Sequence, residues 1–338
     1  EKVLDVETQR TLFLTATPID ATDPATQQRN VQRWMDDPNV FGKRLTERTL
    51  VWAIDKKYIA DFEVRALEMS SAHLEQLFEI TPGLKAVFEQ LHATRDDNDL
   101  TTSQRLFCAA WATVKALFFG DSRRQIVYTN SHSNGKWVEQ CARRIVRALD
   151  EEQRGSTATV TAPSVEVWYA DSKMSFAERA HTLKRFQDPS RPPSMLVNVY
   201  LFSEGTDIPC ADGVTLAEPM KSYVRGTQSL TRCLRLDPDD PNKCALVLLP
   251  VFVTGSPTVG LHDTTYAEVG QLLDRFRGAD RECFVTKMTV FKGCGCSTST
   301  PNESRTVDTL GDAATVNVEA TRELQFHLMD RYSRAMSL

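Results

Sequence analysis

Gln228, Arg232 and Arg235 stand in the stretch QSLTRCLR, residues 228–235. The two arginines are three residues apart and the glutamine lies four before Arg232. On a helix all three share one stripe. A guanidinium keeps its charge at physiological pH and meets phosphate oxygens with a two-pronged fork. Two such forks beside an amide aim at a polyphosphate. Between Pro219 and Leu236 the cations Lys221 and Arg225 join them, with no acid among the four.

A second stretch belongs with this one. The apolar run MLVNV (195–199) leads into YLFSEGTDIPCAD (200–212), and VTLA (214–217) follows. Ligands of α/β proteins bind where strands end, at the carboxyl edge of the sheet. Gly205 lets the backbone come close to a ligand, and Asp207 brings a carboxylate. Two other apolar runs end alike, in TNS (129–131) and TATP (15–18). Hydroxyls and N–H groups at such edges hold phosphates without reading base sequence. Thr129, Ser131 and Ser203 are the candidates for a nucleic-acid backbone. Taken singly, the arginines read as a solvated helix face and Asp207-Ile208-Pro209 as a turn; the combination points to a site.

The elements that must position these residues alternate. Strands are predicted at 124–131, 165–170, 195–199, 214–217 and 245–252, with helices at 104–120, 137–150, 175–189 and 224–236. Ser175 followed by Glu178 is a capping-box pattern. Alternating strands and helices with continuously apolar strands argue a doubly wound parallel sheet. Earlier come a strand at 12–14, a helix near 48–57 and a strand FEVRALEM (62–69), and 70–101 reads as a linker or helical insertion broken at Thr81-Pro82-Gly83. Helices are predicted at 265–278 and 317–336, around a loop at 293–306. The expected division is 1–66, 67–102, 103–255 and 256–338.

Composition narrows the class. The 338 residues carry a formal net charge of −5, so the whole chain is no polybasic nucleic-acid coat. No apolar run reaches the length of a transmembrane helix, about 18 residues. The polar start EKVLDVETQR lacks Met and the marks of a signal peptide, which suggests a fragment. Eight scattered cysteines suit a reducing, intracellular compartment: cytoplasm, nucleus or a viral setting. Cys294 and Cys296 form the one close pair, and no second pair or His cluster makes them a metal site.

The quoted stretches, in this order, resemble superfamily 2 helicases. QSLTRCLR is similar to their motif VI, FSEGTDIP to motif V, RQIVYTNS (124–131) to motif IV and LFLTATP (12–18) to motif III. YADSKMSFAERAHTLKRF (169–186) resembles the segment after motif IV. The nearest likeness is to DEAD/DEAH-type helicases related to the motors of type I and type III restriction enzymes. It covers about 10–66 and 103–255. The resemblance implies a RecA-like second motor domain at 103–255, a remnant of the first RecA-like domain at 1–66 and a mostly helical C-terminal extension. It also implies roles. Arg232 and Arg235 would reach the γ-phosphate as arginine fingers, with Gln228 sensing it. Gly205 and Asp207 would line the nucleotide, and Thr15 and Thr17 would couple the two motor domains. The implied cofactors are ATP and Mg²⁺. The implied partners are nucleic acid, with DNA expected, and the N-terminal RecA-like domain of the same protein; no membrane is implied.

Two departures stand out. Thr231 occupies the place where the family has Gly before the first arginine. Neither a G-x-x-x-x-G-K-[ST] phosphate loop nor a D-E-x-[HD] box occurs in the 338 residues. The expected protein is thus the distal portion of an ATP-dependent helicase or translocase, unable alone to hydrolyse ATP. The alternative is a non-catalytic helicase-like scaffold. A nuclease-linked restriction motor would need a further domain.

Overall fold

In the computed structural model the described residues are 37–41, 43, 45–46, 48–95, 99–155, 165–199, 201, 206–218, 228–253, 278–292 and 315–316. The chain forms two compact units, Glu1–Arg48 and Thr49–Leu338. In the first, one helical turn, Pro38–Phe41, is described, and the Asn39 N–H donates to the Asp37 carboxylate at 2.9 Å.

The second unit is built on eight strands: β1 (Asp61–Ser70), β2 (Arg124–Thr129), β3 (Glu166–Asp171), β4 (Ser194–Val199), β5 (Gly213–Leu216), β6 (Cys244–Val253), β7 (Met288–Lys292) and β8 (Thr315–Val316). They lie in the order β3-β4-β2-β5-β6-β1-β7-β8. The first seven in this order run parallel, and β8 pairs antiparallel with β7. Every residue of β2, β4 and β5 is buried, as strands covered on both faces must be.

Helices cover both faces. On one side lie α2 (Ser71–Ile80), α3 (Pro82–His92), α4 (Leu100–Phe118) and α5 (His132–Gly155), whose apolar residues share a core with Val127, Val167, Val197 and Leu248. On the other lie α1 (Leu50–Asp55), α6 (Phe176–Gln187), a 3-10 turn (Thr231–Leu234) and α7 (Gly278–Thr286), packed over Ile126, Leu196, Val214 and Val247. No described helix is long and apolar enough to cross a membrane.

Two expected boundaries change. Strand β1 pairs with β6 from Asp61↔Cys244 to Ser70↔Val253 and with β7 on its other side, deep in the same sheet. A domain boundary at 66 therefore falls inside a strand of this unit. The boundary at 255 also moves, because β7 and β8 extend the sheet where a helical extension was expected. Of the two readings of 70–101, linker or helical insertion, residues 70–92 take the helical one: two helices joined at Thr81, the first capped by the Ser70 hydroxyl at 3.3 Å from the His73 N–H, packed on the core through Leu74, Leu77, Leu84 and Phe88. The strand at 12–14 and the helices at 265–278 and 317–336 lie outside the described residues, Gly278 excepted.

Helix α5 starts at His132, five residues before the predicted start, and includes Gly135. A Cβ there would lie 2.5 Å from Val199 Cγ2 and 2.9 Å from Thr129 Oγ1. The bare glycine lets the helix start sit tight on β2 and β4. Alanine normally gains about 1 kcal/mol over glycine inside a helix. Overpacking a tight contact costs about 1–3 kcal/mol. Gly135→Ala is expected to lower the urea midpoint of the purified chain at unchanged m-value. A midpoint equal to or above that of the unaltered chain would remove the packing argument.

Candidate functional site

The chain leaves β4 at the carboxyl edge and must enter β5 at the opposite edge. Residues 206–212 make the last part of this crossing over the face that carries α6. Their carbonyls meet side chains. The Arg232 guanidinium donates to the Thr206 carbonyl, and Gln187 Nε2 donates to the Asp207 carbonyl at 3.2 Å. Lys243 Nζ donates to the Pro209 carbonyl and to the Arg235 carbonyl, both at 2.6 Å. Arg235 Nη1 binds the Asp207 carboxylate.

Motifs 228–235 and 206–207 are therefore in contact. The geometry differs from a single helical stripe. Residues 228–230 end the helix, 231–234 tighten into the 3-10 turn, and Arg235 is already extended, with φ −65° and ψ 139°. The two arginines still reach neighbouring residues, Arg232 from within the turn and Arg235 from just past it. Their exposure differs. Arg232 is 7% exposed, against 44% for the Arg235 side chain and 67% for that of Asp207. Gln228 is half-buried, and its Oε1 has no hydrogen-bond partner among the described residues. Thr231 turns its hydroxyl back to the Gln228 carbonyl at 3.3 Å, which closes the tightened turn.

The place of Asp207 is also corrected. The Leu234 carbonyl accepts from Ala60, just before β1, at 2.7 Å, and Lys243 just precedes β6. Asp207 and Arg235 thus lie toward the edge where strands begin, not at the carboxyl rim. The short crossing carries the 207 region down the sheet face.

The carboxyl edge holds a second cluster. At the outgoing ends of β2 and β5 the Glu218 carboxylate accepts from the Asn130 N–H and from Asn134 Nδ2, each at 2.8 Å. The elements after β2 and after β5 pack on opposite faces, so this is the topological switch point of the sheet. His132 Nδ1 lies 3.0 Å from Asp171 Oδ2, and the Tyr169 hydroxyl donates to the same oxygen at 2.8 Å. Burial pushes the Asp171 carboxyl up, but bonds from Tyr169, the Lys173 N–H and His132 outweigh it and hold the group below its ordinary range. Burial and then the adjacent Asp171 raise the Tyr169 phenol.

Ser131 accepts the Asn134 N–H at 3.1 Å, a helix-capping bond, and is half-exposed. Thr129 is 4% exposed, and its hydroxyl packs beside Gly135. A group so enclosed does not face a bound strand, which corrects that expectation. Thr15, Thr17, Ser203 and Gly205 lie outside the described residues. Sequence reasoning passed over Lys243, Glu218 and Asp171. Their signal was weak: an acid or lysine beside a strand end is common, and only the fold shows which groups face one another. Among the described residues no three His, Cys, Asp or Glu side chains group as metal ligands.

The comparisons follow this geometry. The helicase conserved C-terminal domain matches residues 115–237. Curated proteins gave no sequence match. The DNA-bound ATP-dependent Type ISP restriction-modification enzyme LlaBIII is similar in fold, at 18% identity and a TM-score of 0.59, over 82% of this chain. This chain spans only 19% of that enzyme's length. A fragment of a putative HsdR subunit of a type I restriction enzyme from Vibrio vulnificus YJ016 aligns at 18% identity and a TM-score of 0.40, over 75% of this chain and 41% of that one. The parallel sheet covered on both faces is RecA-like, and it carries the stretch, residues 115–237, that matches the helicase conserved C-terminal domain.

Proposed function

We propose that this chain supplies the distal lobe of an ATP-dependent nucleic-acid motor, a helicase or translocase. The observation that carries the reading is the convergence of Arg232 and Arg235 on the adjacent residues Thr206 and Asp207. In this reading the two arginines divide the labour. Arg232, buried and bound to a backbone carbonyl, holds the crossing segment in place. Arg235, half-exposed, turns its remaining N–H groups to a γ-phosphate presented by a neighbouring lobe. Asp207 holds that guanidinium in one orientation before the phosphate arrives. An exposed ion pair of this kind is worth only about 0–1 kcal/mol to stability, so its use is orientation.

The residues fit ATP in part. Arg235 brings positive charge on a half-exposed side chain. ATP supplies the phosphoryl chemistry when bound. The phosphate cradle and the carboxylate for Mg²⁺ would come from a partner lobe, since no described cluster suits a metal. Ser131, half-exposed at the carboxyl edge, is the described candidate for gripping a phosphodiester backbone. Such a grip is independent of base sequence and weakens with salt. DNA is the strand to test first, because the Type ISP enzyme of similar fold is bound to DNA. We place the protein inside the cell on the same reading.

A second reading keeps the fold without the motor. Arg232 is occupied by the backbone and Thr231 closes its turn, which suits a docking module as well. Hydrolysis separates the two. In the full-length protein Arg235→Ala is expected to lower strand-stimulated ATPase about 10³–10⁵-fold, the scale of an arginine finger. Filter binding of single-stranded DNA is expected to change little. Equal loss of both would make Arg235 structural. ATPase absent from the unaltered full-length protein would favour the docking module. The 338-residue chain alone is expected to show no magnesium-dependent hydrolysis; turnover of about 1 s⁻¹ or more, ordinary for an enzyme, would overturn the division between lobes.

A further inference from the structure

Strand β3 is an edge strand. Among the described residues it pairs with β4 and with no other strand. Along it runs a groove of about 270 Å³, lined by residues 165–168 and by Arg143, Arg147, Arg185 and Arg191. Successive strand side chains point to opposite faces of a sheet. Val167 packs with the α5 side and Trp168 with the α6 side. Val165 and the first three residues of β3 line one groove only where it follows the open flank of the strand and wraps around the edge. An edge flank presents a row of N–H and C=O groups free to pair with another chain.

The charge around this flank is lopsided. Arg143 is paired with Glu139 on its own helix, and Arg191 holds Glu166 through two bonds of 2.8 and 2.5 Å. Arg147 and Arg185 have no carboxylate partner among the described residues. Arg147 is exposed on α5. Arg185 and Arg191 lie over the Trp168 ring, 4.8 and 5.6 Å from its centre. Two donors there are buried without an acceptor, Trp168 Nε1 and Arg185 Nε. Buried donors are almost always paired. A groove with surplus cations, orphan donors and an open strand flank lacks a partner rich in acceptors.

We propose that this flank binds an extended acidic peptide segment of a partner protein, which adds as a strand beside β3. The recognition has two parts. Main-chain bonds to residues 165–168 hold the backbone of the peptide, as in other strand additions. Neighbouring acidic side chains of an added strand point to opposite faces, one toward Arg143 and Arg147, the next toward Arg185 and Arg191. A nucleic-acid backbone fits less well. Its phosphates satisfy the arginines, but they offer only acceptors to a flank that also presents carbonyl oxygens.

The test uses the full-length protein and a fluorescein-labelled peptide of Thr-Glu-Glu-Val repeats, read by fluorescence anisotropy. The peptide is expected to bind. Arg147→Glu, an exposed helix position, is expected to weaken it at least tenfold, and Arg147→Glu with Arg185→Glu further. A peptide of the same charge with Pro in place of each Thr is expected to lose binding, because Pro offers no N–H to the strand. Three results would overturn the proposal: no binding of the acidic peptide, binding indifferent to Arg147→Glu, or equal binding of the Pro peptide. A fourth is a thymidine oligonucleotide that displaces the peptide and binds more tightly with the same arginine dependence; the groove would then be a nucleic-acid site.

Discussion

The crossing from β4 to β5 constrains everything near it. The chain must pass from the carboxyl edge of one strand to the starting edge of another. In residues 206–212 it does so with no helix or strand to pair its carbonyls. A buried carbonyl left unpaired costs about as much as a lost hydrogen bond, roughly 1–3 kcal/mol. Side chains fill the gap: Arg232 at Thr206, Gln187 at Asp207 and Lys243 at Pro209. Asp212 closes the end of the crossing, accepting the N–H groups of Arg123 and Arg124 at 2.7 Å and the Ser122 hydroxyl at 2.6 Å. The polar residues of this stretch are thus part of the scaffold first.

That scaffold explains why the two arginines differ. A guanidinium has five N–H donors. Arg232 spends its position inside the core, where little of it meets solvent. Arg235 lies past the end of the 3-10 turn, and its backbone carbonyl is pinned by Lys243, so its side chain leaves the surface from a fixed root. Burial works against the Lys243 charge and lowers its affinity for a proton. Two carbonyl partners at 2.6 Å offset that cost. A helix continued through Arg235 would have put both cations on one ridge with similar exposure.

Much of the fold was legible in local pattern. Strands β2, β4 and β6 announce themselves by apolar runs, at 126–128, 195–197 and 245–252, and α6 by the Ser175–Glu178 capping box, present in the structure. The neighbours of a strand are not written locally. Nothing in DFEVRALEMS says that it pairs with residues 244–253, over 170 positions away, and the boundary drawn at 66 failed for that reason. The predicted start of α5 lay five residues late, and the first turns include Gly135, where the close approach of Val199 leaves no room for a Cβ. At the site, the meeting of 228–235 with 206–207 was legible in residue type and order. The burial of Arg232, the inward turn of Thr129 and the bridge made by Glu218 were not. Each depends on which strand ends lie side by side.

A net charge of −5 gives no hint of these local fields. Charges more than about 8–10 Å apart in solvent are largely screened at physiological salt, so the sum over the chain says little about any one place. What matters is where each acid is tied. Asp212 is consumed by backbone N–H groups, Glu218 by Asn130 and Asn134, and Asp171 by Tyr169, His132 and Lys173. Carboxylates so engaged serve local geometry, and at the β3 flank Glu139 and Glu166 are likewise tied, to Arg143 and Arg191, which leaves Arg147 and Arg185 with no carboxylate partner among the described residues. Asp207 is different, since its side chain is exposed and, among the described residues, its carboxylate is bound by Arg235. An anion arriving there competes with a single weak ion pair, and the guanidinium it meets is already oriented.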